Sequence, residues 1–245
     1  MTHLSVNLNK IALVRNSRSL GIPSVIKAAK TCIAAGAYGI TVHPRPDERH
    51  IRYSDVYELK PVVSEVEFNI EGNPFTGKFM DIMADIRPTQ ATLVPDMPGA
   101  TTSDHGWDLS KENFKRLLPV IDELRKLGIR TSLFVDPVIE TVEKAKQLGS
   151  DRIELYTEPF ARAFIEKKNL EPLTARYAAA AKKAAEIGLG VNAGHDLNLD
   201  NLTFFCKNVK PVMEVSIGHA LISDAIDMGL SNAVKAYCKI LKENS

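Results

Sequence analysis

Eight short apolar runs, set about 30 residues apart and separated by amphipathic stretches, constrain the fold of this chain more than any other feature. The runs are LSVNL (4–8), GITVH (39–43), EVEFNI (65–70), ATLV (91–94), RTSLFV (130–135), RIELY (152–156), GVNAG (190–194) and EVSIG (214–218). Their shortness and general wealth of Val, Ile, Leu or Phe read as parallel strands buried on both faces. Between them, SVIKAAKTCIAAGA, KENFKRLLPVIDELRKLG, PVIETVEKAKQLG, ARYAAAAKKAAEIGLG and SNAVKAYCKILKEN repeat apolar residues at helical spacing. Gly36, Gly128, Gly149 and Gly188 each close a helical pattern where a left-handed cap is expected. Ser24, Ser110 and Ser231 stand where N-caps belong. No Gly/Ser-rich linker divides the chain, so residues 1–245 read as one domain. Eight strands alternating with helices over 245 residues close most economically into a (β/α)8 TIM barrel of the α/β class. A doubly wound open sheet is the competitor, but no GxGxxG turn follows the first strand.

Composition narrows the partners. With 31 basic and 30 acidic residues the net charge is +1, without the basic excess that bulk nucleic-acid binding requires. No window approaches the ~18 uninterrupted apolar residues of a membrane span. Cys32, Cys206 and Cys238 form no CxxC and read as reduced thiols, not as a disulfide framework or zinc site. MTHLSVNLNKIAL lacks a basic stretch followed by a long apolar run, so no secretory signal and a cytoplasmic location are expected.

In such a barrel the C-terminal strand ends carry the chemistry, and here they collect the unusual polar residues: Asn7 and Asn9, His43 and Arg45, Asn69 and Glu71, Glu154 and Thr157, Asn192 and His195, Gly218 and His219. Of the 6 histidines, only His3 and His105 lie away from these ends; His43, His50, His195 and His219 lie at or just beyond them. A single such histidine is more often a hydrogen-bonded structural residue, and a single glutamate an ion-pair member. Converging on one mouth, imidazoles and carboxylates are what repeated proton transfer needs, because His titrates near neutrality and burial raises Glu toward it.

The mouth also reads as anionic in its preference. Arg15, Arg18, Arg45, Arg49 and Arg52 cluster in the first two loops, Arg52 as a solvated charge. IGHALISDAI forms a glycine turn running into a helix start, whose N–H groups suit a phosphate, and AGHD offers another glycine turn beside an imidazole. PDMPGATTSDHGWD (95–108) has the length of a lid, with Thr101, Thr102 and Ser103 able to bond phosphate and Trp107 packing its hinge.

An acid–base lyase or synthase acting on phosphorylated small molecules accounts for these features. A metal-dependent barrel hydrolase using His43, His195 and His219 is the alternative, although the first strand reads NLN where that class often has HxH. A phosphate-ligand sensor leaves the Glu and His residues unexplained. A Schiff-base aldolase lacks a lysine at the ends of strands five to seven.

VNLNKIALVRNSR, GITVHPRPDERHI, NIEGN, LVPD with TTSD, IELYTE, VNAGHDLN and SIGHALI occur in that order from residue 4 to about residue 230. Together they resemble the pyridoxine 5′-phosphate synthase family. The resemblance implies a (β/α)8 barrel with additional helices, assembled into a homo-octamer, and no metal or organic cofactor. It implies condensation of 3-amino-2-oxopropyl phosphate with 1-deoxy-D-xylulose 5-phosphate to pyridoxine 5′-phosphate, phosphate and water. By position, His43 and Glu71 match the family's proton acceptors, His195 its proton donor and Glu154 its transition-state stabiliser. Arg45, His50 and Thr102 match contacts to the deoxyxylulose phosphate; Asn7, Arg18, Gly218 and His219 match contacts to the amino ketone phosphate. Asn9 and Lys10 stand where many members have Asp-His, with Lys10 able to grip the sugar phosphate, and Asp196 stands where many have Gly. The chain also carries one extra residue between His43 and Glu71.

Overall fold

The computed structural model describes residues 1–96 and 103–244. Eight parallel strands, β1 (His3–Asn7), β2 (Gly39–Val42), β3 (Glu67–Gly72), β4 (Gln90–Leu93), β5 (Arg130–Val135), β6 (Arg152–Tyr156), β7 (Gly190–His195) and β8 (Glu214–Ile217), close in sequence order, with β8 pairing back to β1. Each lies within two residues of its expected position. The five expected helices are α2 (Val25–Ala34), α5 (Lys111–Lys126), α6 (Ile139–Leu148), α8 (Leu170–Glu186) and α11 (Leu230–Asn244). Six more are present: α1 (Asn9–Asn16), α3 (Tyr53–Leu59), α4 (Phe79–Ile86), α7 (Glu158–Glu166), α9 (Leu202–Asn208) and α10 (His219–Met228). Of these, only the start of α10 is anticipated in the sequence. Among the described residues no helix is long and apolar enough to cross a membrane.

Local chemistry explains the boundaries. The four expected glycine caps all have positive φ, and at Gly149 (φ 83°) the cap N–H returns to the Ala145 and Lys146 carbonyls. Ser24 and Ser110 accept from Lys27 N and Asn113 N as N-caps. Ser231 does not: α11 begins one residue earlier at Leu230, which places the serine inside the first turn.

The apolar core lies between the outside of the barrel and the helices, from Leu4 and Val6 around to Val215 and Ile217. The barrel interior is polar instead of being packed with the branched aliphatics usual in this fold. Ser5 and Thr41 hydroxyls lie 2.6 Å apart, and Asn69 bonds both Thr41 and Thr92. Nearer the N-terminal end, Arg130 pairs with Glu67, Asn192 reaches across to Gln90, and Arg152 meets Asn192 and Glu214. Asn69 and Asn192 therefore serve this internal network and do not belong to the mouth, where strand-end position alone put them.

Glu214, 2% exposed, is pushed up to about 7 by burial, which outweighs Arg152 at 3.4 Å. A carboxyl whose folded value lies above its unfolded one supports folding fully below the unfolded value, and that support is lost as pH rises through the folded value. Between about pH 4.5 and pH 7 the wild type should therefore lose about 3 kcal/mol relative to Glu214→Gln. Urea unfolding of both proteins at the two ends of that window checks this; parallel pH dependences would refute it.

Candidate active site

Three strand ends are tied together at the mouth by two asparagines. Asn7, the last residue of β1, donates from Nδ2 to Glu71 Oε2 at 3.2 Å and accepts the Asn9 N–H at 3.0 Å. Asn9 in turn accepts the His43 backbone N–H at 2.9 Å. The close approach continues at Gly218, where an added Cβ would stand 3.1 Å from the Asn7 side chain.

Glu71 is the hub. Its Oε2 lies 3.9 Å from His43 Nδ1 and 3.8 Å from His195 Nε2, while its side chain is fully buried. The other face of the His195 ring meets Glu154, with Nδ1 3.3 Å from Oε1. That contact is ionic and not a directed hydrogen bond, since among the described residues both Glu154 oxygens and His195 Nδ1 lack a hydrogen-bond partner. Phe134 packs edge-on against the ring at 5.5 Å, yet 28% of the His195 side chain remains open to the mouth, where a reactant can reach it.

His195 reaches this place through its backbone. Asn192 points into the barrel, so strict alternation along β7 would send residue 195 outward. A left-handed φ of 67° turns it back in.

Electrostatics divides the ionisable groups. Burial depresses His195, but the charge of Glu71 and the contact with Glu154 outweigh it and raise the ring to about 10, so it is an imidazolium at neutral pH. Burial pushes Glu71 upward against the pull of His195, so the carboxyl holds a proton far more readily than an exposed glutamate. Since each of these two groups shifts the other, their protons titrate as a pair. His43 is driven well below its ordinary value by burial and then by Arg45, which leaves it neutral and able to accept a proton. His50 falls to about 4 for the same reasons. Its Nδ1 accepts the Ile51 N–H at 2.9 Å, which assigns the ring hydrogen to Nε2.

The basic cluster is only partly as expected. Arg15 lies on α1, not in a loop, and its guanidinium is buried in a two-pronged pair with Asp55. Arg45 is buried and holds Asp96 at 2.9 Å, beside a small cavity of about 70 Å³ lined also by His43, Gly72 and Asn73. Arg49 pairs with Asp47, whereas Arg18 and Arg52 are exposed. Lys10 is partly buried in the first turn of α1, and its charge contributes to lowering His50. His219 is exposed at the start of α10, with Gly218 as N-cap. Burial raises the half-buried Asp196. Thr101 and Thr102 lie outside the described residues. Ser103 spends its hydroxyl on Asp96 at 2.9 Å, and Trp107 is buried with Nε1 donating to the Leu93 carbonyl.

Asp96 escaped the sequence reading, although a lone Asp just beyond a barrel strand is the available signal. Asp55 gave none, being separated from Arg15 by 40 positions. Glu71, Glu154 and His195 offer ligand atoms within 4.8 Å of one another.

Residues 4–243 match the family model described as pyridoxal phosphate biosynthesis protein PdxJ. Among curated proteins, the pyridoxine 5′-phosphate synthase of Christiangramia forsetii is 55% identical over 242 residues, covering 99% of this chain and 100% of that protein. The Flavobacterium johnsoniae protein of the same name is 53% identical over 244 residues, with coverages of 99% and 100%. Solved structures similar in fold include Thermotoga maritima phosphoribosylanthranilate isomerase (TM-score 0.59, 14% identity, 99% and 100% of the two chains) and Mycobacterium tuberculosis tryptophan synthase (TM-score 0.66, 10% identity, 98% and 92%). At such identities these last two speak for the barrel alone.

Proposed function

The chain belongs to the PdxJ family of pyridoxal phosphate biosynthesis proteins and makes pyridoxine 5′-phosphate, and we propose that the mouth does so by acid–base catalysis on two bound phosphates. The reactants are 3-amino-2-oxopropyl phosphate and 1-deoxy-D-xylulose 5-phosphate; the products are pyridoxine 5′-phosphate, phosphate and water. The observation that carries this reading is the single carboxylate oxygen of Glu71 facing both His43 and His195 at under 4 Å.

Imine formation, loss of water and ring closure each move a proton, and proton transfer is what this cluster supplies. His43, neutral, and Glu71 act as proton acceptors. His195, charged and open to the mouth, acts as donor, and Glu154 steadies positive charge in the ring and in the transition state. Arg45, His50, Lys10, Asn9 and Thr102 contact the sugar phosphate. The neutral Nε2–H of His50 and the ammonium of Lys10 are donors of the kind an anion needs. Asn7, Arg18, Gly218, His219 and Asp196 surround the amino ketone phosphate, with the N-terminus of α10 offering unpaired N–H groups. Holding both partners in place supplies the remaining advantage.

The described thiols are all free, as a reducing cytoplasm leaves them. Self-association into an octamer is supported by apolar residues exposed on α1 (Leu13, Val14) and α10 (Ile226, Met228), two helices that touch each other. Incubating the purified protein with both phosphorylated ketones should produce the pyridine chromophore together with free phosphate, and neither with one ketone alone. No chromophore from the complete mixture would remove the assignment.

A further inference from the structure

Thr157 immediately precedes α7 and occupies its N-cap position, where a threonine hydroxyl ordinarily accepts an N–H of its own helix. Here it makes no cap bond, although the residue is completely buried. The hydroxyl is turned to β7 instead: Oγ1 donates to the Gly194 carbonyl and, at 3.4 Å, shares the Asp196 N–H that also bonds that carbonyl at 3.0 Å. These two groups flank His195. Gly194 itself lies close against β8, since a Cβ there would stand 2.3 Å from the Ser216 carbonyl oxygen.

We propose that Thr157 is a positioning residue that clamps the left-handed backbone of His195 and thereby aims the imidazole between Glu71 and Glu154. The inference rests on His195 being the proton donor. Without the clamp the residue relaxes toward ordinary extended backbone, and alternation along β7 then swings the ring away from the interior. Thr157 touches no reactant; it acts only through His195. It is also distinct from a capping role, which would stabilise α7 and leave the imidazole unchanged.

Thr157→Val removes the hydroxyl at constant shape, and Thr157→Ser keeps it. For Val, turnover should fall about 10- to 100-fold with both KM values within about twofold, the scale of a sub-ångström to ångström misplacement of a catalytic group. The alkaline limb of kcat should move to lower pH, because a ring released from Glu71 and Glu154 gives up its proton more easily. Ser should restore both. Histidine-labelled NMR, with the His195 signal assigned by its loss in His195→Asn, should show the same downward shift in Val and not in Ser. That titration needs no turnover, so it judges the clamp separately from the assigned reaction. Wild-type kcat and titration in Val, or losses in Ser equal to those in Val, would overturn the proposal. If Val does not fold, Ser against wild type decides: unchanged turnover and titration support the clamp, and a loss beyond about threefold overturns it.

Discussion

Glu71→Gln should lower turnover by about three to four orders of magnitude, near the upper end of what a positioned acid–base group contributes. The amide keeps the size of the carboxyl, and its oxygen can still accept from Asn7 Nδ2, which bonds Glu71 Oε2 at 3.2 Å. What disappears is the ability to take up and release a proton between His43 and His195. A second effect follows from the coupling. With no charge at position 71, His195 loses the first of the influences that raise it, so the alkaline limb of the residual activity should move to lower pH. Folding should not suffer. Burial favours an uncharged group at this position, raising Glu71 to about 8, and the amide of Gln is uncharged at every pH. Phosphate binding should also persist, since no arginine or helix N-terminus is altered. His195→Asn should match it in severity but without the shifted limb, because the donor itself is gone. Steady-state turnover across pH, with near-ultraviolet circular dichroism from Trp107 as a check on the fold, tests both. Near-normal rates in either variant would strip these residues of their roles.

The barrel was legible because short strand-like runs such as ATLV and RTSLFV recur about every 30 residues between helical patterns, apolar on the face against the helices even though alternate residues face a polar interior. The shorter helices were not. α1 carries Leu13 and Val14 on exposed positions and a buried Arg15, the reverse of an amphipathic pattern, and α3 is seven residues with an arginine as its N-cap. At the site, strand-end position located His43, Glu71 and His195, because the fold itself gathers those ends. It misplaced Asn69, which shares a face with Glu71 but sits one level deeper, since a period of two does not tell depth. It could not foresee how His195 faces inward, which depends on one left-handed residue and on Thr157, 38 positions away by numbering. Nor does spacing reveal which arginine is already paired.

Asp55→Ala should cost about 3–5 kcal/mol of stability, because it leaves the buried Arg15 guanidinium without its counter-charge. The pair is only 9% and 7% exposed, and both Asp55 oxygens are engaged, one of them also accepting the Arg52 N–H at 2.7 Å as α3 begins. Arg15 further donates to the His50 carbonyl at 3.1 Å, and Asn16 beside it bonds the carbonyls of Glu48, Arg49 and His50. The end of α1 is thus the frame on which the loop bearing His50 is hung. Loss of Asp55 should therefore raise KM for the deoxyxylulose phosphate more than it lowers kcat, whereas an arginine that gripped phosphate itself would make Arg15, not Asp55, the sensitive position for binding. Adding Arg15→Met to Asp55→Ala should return much of the stability, as replacing a buried pair by apolar side chains commonly does. Urea unfolding of the single and double variants, alongside KM for each phosphate, separates the alternatives. A single variant within about 1 kcal/mol of wild type would show that the guanidinium finds water or another anion, and would return Arg15 to the phosphate-binding set.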